Sequence, residues 1–537
     1  VIDVDLVLGD VAAAPAAPRA APSGTAGRIG EGHRNIYGFK YASRRRAEGA
    51  SEAQIYEELQ QLNPVLFETP MEKAELSAMA RSGAKYEQGT SNPHRLSETG
   101  TSARLAAEYG HRIRFDGTRG IWLVFDDQRW ATEGAALFVE ACAKDLVLRY
   151  YSEAAACPDD DRRKPIAAWA RQLDNRGRLS NVISLARSEP GLLIRASQLD
   201  TNPLLLNVSN GTIDLTTGQL RPHSPEDFIT KVSPVEYDPD ARHELWTRVL
   251  REATGGDPEL EAYVQRWAGY CATGLTHEKA FAFLFGPPDT AKSTILDTIR
   301  VALGEYATAV DAATWLRQAF NGGNRGDLAR LFGVRLAVTS EFPRGAVFDE
   351  ALIKRITGGD PLTVAAKYQN EIQFQPTCKL LFGANDAPAI DAGDQGMWNR
   401  CRRIPFRHVP PVRDPAVRRR LTGPECGPAV LAWIVAGARS WREVGLGQPR
   451  AVAEATAAYR RENDVVGRFL AEECTVEFGA RTSKTDLRFA FEAWCRRTRT
   501  RDPGTKGLAT GLAAAGIEER RTKAERLWLG VRLADRD

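Results

Sequence analysis

Phe281–Arg300, FAFLFGPPDTAKSTILDTIR, is the stretch on which the fold turns. Phe281 to Phe285 is an apolar run rich in phenylalanine, short enough for a buried parallel strand. Gly286 ends it. Pro287, Pro288, Asp289 and Thr290 cannot continue a strand ladder. Lys292, Ser293 and Thr294 then open a helix whose Ile295 and Ile299 fall at i, i+4 spacing, on one face. The stretch predicts a strand, a tight loop and a helix.

Written as a pattern it is G-x-x-x-x-A-K-S, one residue from the phosphate-binding loop G-x-x-x-x-G-K-[ST]. That chemistry needs this layout. Backbone N–H groups of the loop and of the helix N-terminus converge on phosphates. The lysine, here Lys292, reaches the β- and γ-phosphates, and the hydroxyl, here Ser293, ligates Mg²⁺. Gly286, Pro287, Pro288, Asp289, Thr290, Ala291, Lys292, Ser293 and Thr294 are therefore the candidate ATP-binding residues. Ala291 stands where glycine is usual, and a methyl group there is expected to crowd the nucleotide. The same residues also fit an ordinary strand–turn–helix with a surface Lys-Ser pair.

The chain around it has 537 residues, enough for three or four domains. Hydrophobic residues make up 43% and charged residues 26%, which places it among globular chains. The net charge is only +3, so any nucleic-acid footprint must be local. The sequence has no apolar run near the length of a membrane span and no secretory signal. The eight cysteines include no C-x-x-C pair and read as buried thiols of a reducing, cytoplasmic compartment rather than as a zinc site. The chain begins at Val1 rather than methionine, so the natural protein is expected to extend upstream.

Residues 1–30 are rich in Ala, Pro, Gly and Ser and read as a flexible linker. Residues 31–98 read as a helical unit, with Ile55, Leu59 and Leu62 on one face. Arg44, Arg45 and Arg46 fit a DNA contact or a solvated helix face equally well. Residues 99–242 read as mixed α/β: GIWLVFDDQRW alternates like a hairpin turning at Asp126–Asp127, and Asn210-Gly211 and Thr217-Gly218 mark turns. Asp200, Asn210 and Asp214 are read as turn and cap residues rather than catalytic ones. Residues 243–278 carry Trp246, Val249, Leu250, Leu260, Tyr263 and Trp267 at helical spacing and read as a collar.

Two further strands follow the phosphate-loop helix. RLAVTSE ends in Glu341, about fifty residues after Lys292. An acid there polarises the attacking water or holds Mg²⁺; a strand-end glutamate at the surface is the plainer reading. KLLFGAN ends in Asn385, placed to sense a γ-phosphate, although Asn-Asp is also a common turn. WNRCRRIPF carries three arginines before an apolar strand. Arg400 is the candidate arginine finger, with Arg402 and Arg403 as alternatives; one of the three is expected to pair with a core carboxylate. Residues 413–460 return to helix as a lid, with Trp433 and Trp441 in its core.

Residues 461–537 read as three helices and a two-stranded ribbon with a charged tip, the order of a winged helix. From Arg481 to Asp537 there are 14 Lys/Arg against 8 Asp/Glu, a net of +6 in a chain whose total is +3. Arg496, Arg497, Arg499 and Arg501, with Arg520, Arg521 and Lys523 at the ribbon, are candidate phosphate contacts. A solvated basic face is the alternative.

The order of these segments resembles the superfamily 3 helicases of the phage and plasmid primase–helicase type, also seen in poxvirus helicases. The likeness is carried by the phosphate loop, RLAVTSE, LIKRITGGDPLTVAAKYQNEIQFQPTCKLLFGAND and MWNRCRRIPF, and by NPLLLNVSNGTIDLTTGQLRPHSPEDFITK upstream. GEGHRNIYGFKYASRRRAEG resembles the helical segment that follows the polymerase-like domain in such proteins. The resemblance implies an α/β fold: an AAA+-like P-loop ATPase core with a parallel sheet over 279–412, preceded by the mixed α/β domain and collar and followed by the winged helix. It implies Lys292 and Ser293 as the Walker A pair, Glu341 as the Walker B acid and second metal-site residue, Asn385 as sensor and Arg400 as finger. Lys367 falls on the hairpin that faces a central channel and grips the DNA backbone. Ala365 stands where relatives often have arginine.

The expected function is an ATP- and Mg²⁺-dependent DNA helicase of mobile-element replication. It would act as a hexameric homo-oligomeric ring on single-stranded or forked DNA, beside an upstream primase domain or host replication proteins. This chain itself shows no primase catalytic domain. A DNA-binding ring or origin scaffold with a weakened ATPase is the alternative, and a small-molecule kinase using the same loop is a third class.

Overall fold

The computed structural model describes residues 38, 41–42, 45, 50–67, 69–84, 95–317, 326–365, 371–410, 414–521 and 525–534. Lys367, Lys523, Arg44, Arg46 and the 1–30 segment lie outside these. The chain forms two compact units, residues 1–115 with 136–193, and 116–135 with 194–537.

The first unit is largely helical. Helix Glu52–Leu66 starts at a Ser51 capping box closed by Gln54. It buries Ile55 and Leu59 against Leu76 of helix Lys73–Ala84 and against Tyr41. Arg45 is spent in a bidentate ion pair with Glu58, 2.7 Å on both arms. Helices Ala135–Ala156, Asp160–Leu173 and Arg176–Ala186 share a core of Val147, Tyr150, Trp169, Leu173 and Val182.

In the second unit, Ile121–Phe125 and Trp130–Ala131 pair antiparallel, with Asp127 at positive φ in the turn. Leu205–Val208, Gly211–Asp214 and Gln219–Arg221 form a meander. Asn210 accepts from Tyr237 N–H and donates to its carbonyl, Asp200 accepts from Thr230, and Asp214 caps Thr216. All three therefore do structural work.

The centre of this unit is a five-stranded, fully parallel sheet. Its strands are β1 (Phe281–Phe285), β2 (Ala307–Ala309), β3 (Leu336–Thr339), β4 (Lys379–Ala384) and β5 (Cys401–Pro405), in spatial order β5-β1-β4-β3-β2. Both faces are covered, as a parallel sheet requires. Alternation along β1 decides the layers. Ala282 and Leu284 face α2 (Lys292–Leu303) and the helices α1 (Pro258–Ala272) and α4 (Gly427–Val444). Phe281 and Phe283 face Phe348, Phe382, Trp315, Trp398 and α3 (Glu350–Gly358).

Helices α1 and α4 approach backbone to backbone. A Cβ on Gly269 would lie 2.0 Å from Ala438 N, and one on Gly437 would lie 2.1 Å from the Gln265 carbonyl. Trp441 is buried, and Trp433 packs edge-on against Trp246 at 5.1 Å. Two buried cations tie the end of α1 to the sheet: Arg335 donates to the Ala272 carbonyl at 2.7 Å, and Lys379 donates to the Thr273 and Thr377 carbonyls. Burial drives the Lys379 ammonium down to about 7.

Two antiparallel strands, Leu362–Ala365 and Glu371–Phe374, stand between β3 and β4 in the chain; the expected channel residue Lys367 falls between them in sequence, outside the described residues. The region expected as a helical lid contains three helices, Ala416–Leu421, α4 and α5 (Arg450–Asn463). The C-terminal segment runs α6 (Val465–Glu473), β6 (Cys474–Ser483), α7 (Lys484–Thr498), α8 (Gly504–Ala514), β7 (Glu518–Arg521) and β8 (Arg526–Leu533). The last sheet has three strands, order β6-β8-β7, where the sequence led us to expect two. Phe469, Phe491, Trp494, Leu512 and Val531 fill its core. Among the described residues no helix is long and apolar enough to cross a membrane.

Candidate functional site

The connections after β1 reverse the direction in which strands are laid down. β2, β3 and β4 lie to one side of β1, and β5 lies to the other. A crevice outside the carboxyl ends of the strands is expected at that switch point. The loop 286–291 leaves β1 there. Gly286 is obligatory, because a Cβ on it would sit 1.7 Å from the Phe406 carbonyl at the end of β5. Asp289 and Ala291 both take left-handed backbone, φ 64° and 61°.

Ala291 is the N-cap of α2 and offers the helix no side-chain acceptor. Ile295 N–H bonds to the Ala291 carbonyl at 2.9 Å. The N–H groups of the three residues before it have no acceptor within the helix, as at any α-helix start. Ala291 is itself partly buried. Its methyl packs against the apolar cluster beneath α2, and the cost of alanine there is the left-handed φ.

Lys292 is buried. Its Nζ donates to the Gly286 carbonyl at 2.9 Å, the Pro287 carbonyl at 2.6 Å and Thr290 Oγ1 at 3.0 Å. Thr290 itself donates to the Pro287 carbonyl at 3.0 Å. Burial pushes the Lys292 ammonium down, and the Asp289 carboxylate opposes this. Three donors of one ammonium thus hold the loop around a concave turn. Ser293 and Thr294 follow on the first turn of α2.

The neighbouring strand ends bring the other candidates to the same edge. In the ladder, Ala384 lies beside Phe285, and Thr339 beside Phe382. Glu341 and Asn385 follow the carboxyl ends of β3 and β4, the end of the sheet from which the 286–291 loop leaves β1. β3 itself stops at Thr339, two residues before the acid. Thr339 is pinned by Trp315 Nε1 at 2.8 Å and by its own bond to the Val310 carbonyl at 2.7 Å. Phe342, on the far side, packs edge-on against Phe382 at 5.3 Å. The backbone around Glu341 is held while its carboxylate is exposed. Arg344 bonds Asp386 at 3.1 Å, linking the segments that carry Glu341 and Asn385.

Arg400 lies at the other end of the sheet. Its carbonyl accepts from Phe281 N–H at 2.9 Å, so β1 separates it from its own loop by about 13 Å of strand. It is half-buried and donates to the Gly396 carbonyl at 2.8 Å. Arg402 donates to the Asn399 and Cys401 carbonyls. Arg403 is the arginine paired with a carboxylate: it is buried, bonds Glu462 at 3.0 and 3.1 Å and lies 3.4 Å over the Phe285 ring.

In the C-terminal segment, Arg496 is exposed and lines an open basin of about 560 Å³ with Arg499, Thr500, Arg501 and Asp502. Arg497 is drawn into an ion pair with Glu473 and is the less available of the two. Arg520 and Arg521 are exposed on β7. Sequence reasoning did not single out Thr339, Phe342 or Arg344, whose partners are distant in the chain.

Comparison with known proteins follows the same segments. Primase C terminal 1 matches residues 23–89, D5 N terminal like matches 102–255, and a family of unknown function (DUF5906) matches 284–403. "Putative helicase L207/L206" of Acanthamoeba polyphaga mimivirus is 23% identical over 66% of this chain and 40% of its own length. "Putative helicase 022R" of Frog virus 3 is 24% identical over 55% of this chain and 39% of its own length. "Putative primase C962R" of African swine fever virus is 25% identical over 55% of this chain and 34% of its own length. The matched part is thus two fifths or less of the length of these curated relatives. Among solved structures, the apo C-terminal region of NrS-1 is similar at 10% identity with a TM-score of 0.44, covering 80% of this chain and 98% of that one.

Proposed function

Starting from a chain that resembles the primase–helicases, we propose that it is an ATP-dependent DNA translocase of the superfamily 3 type. In this reading the five-stranded sheet is an AAA+-like P-loop core and the last segment, with its order helix, strand, two helices and two strands, is a winged helix. The observation that supports the proposal is that β1, β4 and β3 are neighbours whose carboxyl ends lead into the 286–291 loop with Lys292, to Asn385 and to Glu341. The residues suit a nucleotide triphosphate with Mg²⁺. The start of α2 has no side-chain cap, and its donors and the Lys292 ammonium suit phosphate oxygens.

Lys292 would exchange its loop carbonyls for phosphate oxygens, and Ser293 and Glu341 would hold the metal. The ion, when bound, neutralises charge on the phosphates. Glu341 would also orient a water, and Asn385 would donate to the terminal phosphate. Arg400 lies at the opposite end of β1 from its own loop, so it would serve the site of a neighbouring subunit. That requires a head-to-tail closed ring, a hexamer in our reading. The Lys367 hairpin would grip one strand in the channel, and Arg496, Arg497, Arg520, Arg521 and Lys523 would contact phosphates outside it. Upstream primase and host replication proteins are the proposed partners.

The test is ATP binding and DNA-stimulated hydrolysis by the full chain. Lys292→Ala should abolish hydrolysis and unwinding. Wild-type protein that binds no ATP would overturn the reading. A second reading, a DNA-binding ring or origin scaffold with weak hydrolysis, draws on the left-handed Ala291 and the single acid Glu341. It predicts ATP binding and assembly with negligible turnover.

A further inference from the structure

Strand β6 is interrupted midway. Val476 pairs with Val531 and Arg481 with Leu529, so four residues, Glu477 to Ala480, stand against Gly530 alone. This bulge is ordered on both sides by the ladder. It turns through Gly479 at φ 88°, where a Cβ would meet nothing within 4 Å. Phe478 at its tip is 108% exposed, the most exposed large apolar side chain among the described residues. Glu477 beside it is held by Arg532 at 2.8 Å.

β6 is an edge strand, and a bulge is a common way to blunt an edge. A charge or a proline at the tip would serve that purpose. A phenylalanine does the opposite and makes the edge stickier, so protection does not account for it. Bulges also re-aim single side chains toward a function.

Two further observations bear on what would cover Phe478. The segment from Arg481 onward carries a net +6, and Arg481, Arg496, Arg520 and Arg521 are exposed on it. That field suits a polyanion and opposes a basic copy of itself. Helix α8, GTKGLATGLAA, contains no Arg, Asn, Gln, Asp or Glu. Lys506 is its one side chain able to bond a guanine edge bidentately, and it has no Asn or Gln for adenine and no Asp or Glu for cytosine. What remains is phosphate contact and a flat aromatic face, the pair of devices that holds single strands regardless of sequence.

The geometry points to Phe478 as a stacking residue for an unpaired nucleobase, with the C-terminal segment holding single-stranded DNA without reading its sequence. This rests on the DNA-binding reading above and adds the strand form, the residue and the lack of sequence preference.

The experiment uses the full chain and fluorescence anisotropy with oligothymidylate, a mixed-sequence single strand, its RNA counterpart and the matching duplex. A 2-aminopurine base in the mixed strand reports stacking. Phe478→Ala should weaken both DNA single strands about tenfold and lose the 2-aminopurine quench, with duplex binding and salt slope unchanged. Phe478→Trp should retain both. The side chain is fully exposed, so neither variant should disturb folding.

Equal single-strand affinity in Phe478→Ala would overturn the inference. So would tighter binding of the RNA, a strong preference between the two DNA sequences, or a loss explained wholly by a smaller oligomer in light scattering. Wild-type protein that binds no DNA would overturn it together with the DNA-binding reading. The ATPase reading fails separately, through the comparison with Lys292→Ala.

Discussion

Ala291 concentrates the tension between a working and a weakened motor in one methyl group. An L-residue in left-handed backbone costs roughly 1–2 kcal/mol. Ala291→Gly should therefore raise stability by about 1 kcal/mol, less the small loss of packing under α2, read as a higher urea midpoint. A large accompanying gain in ATP turnover would favour the weakened motor; unchanged turnover would mean the loop already has its working shape. Lys379 makes a second residue-scale prediction. Its ammonium is held near 7, well below an unfolded lysine. Between about pH 7 and 10 the unfolded chain then binds more protons at this site, so stability from it rises with pH and is lost as pH falls through 7. The neighbouring Cys271 and Cys378 thiols, pushed up to about 12 by burial, work in the opposite sense above pH 9. The clean measurement is the difference in Tm between wild type and Lys379→Met at pH 6.5 and 8.5. The variant should gain most at the lower pH, and a pH-independent difference would refute the assignment.

Among elements, the hairpin Leu362–Ala365/Glu371–Phe374 is the one proposed to touch DNA in the channel. Lys367→Ala should leave basal ATPase intact and lose its stimulation by single-stranded DNA; equal loss of both would remove Lys367 from that role. The elements also differ in how far they were legible. FAFLF, RLAVTSE, KLLFGAN and the strand after WNRC stand out because fully buried parallel strands are unbroken apolar runs. Ala307–Ala309 does not, since three small residues at a sheet edge leave no hydrophobic pattern. β6 was missed because its bulge breaks the period of two on which a strand is recognised. At the candidate site, the strand, loop and helix that carry Lys292 were readable from spacing alone. The roles of the three arginines were not: Arg403 is claimed by Glu462, 59 residues further on, and no local signal marks that pair.

For the whole molecule, the decisive question is whether Lys292 of one copy and Arg400 of the next share a nucleotide. Arg400→Ala and Lys292→Ala should each be inactive alone, the former by about 10³-fold or more in turnover if it acts as a finger. Mixed together in one ring, some junctions would join an intact Lys292 to an intact Arg400, and a measurable fraction of hydrolysis should return. No recovery on mixing, in preparations that still assemble, would place both residues in the same copy's chemistry or Arg400 outside it altogether.

Strand β5 gives that arrangement a mechanical side. Arg400 precedes its first residue, Arg403 in its middle rests on the ring of Phe285, and the carbonyl just past its end abuts Gly286 with no room for a methyl group. One short rod therefore joins the residue proposed as the finger at one tip to the lysine-bearing turn at the other. A tug from an adjoining protomer would be felt at the home loop without any intervening hinge, so that successive protomers would be geared to one another by a single strand.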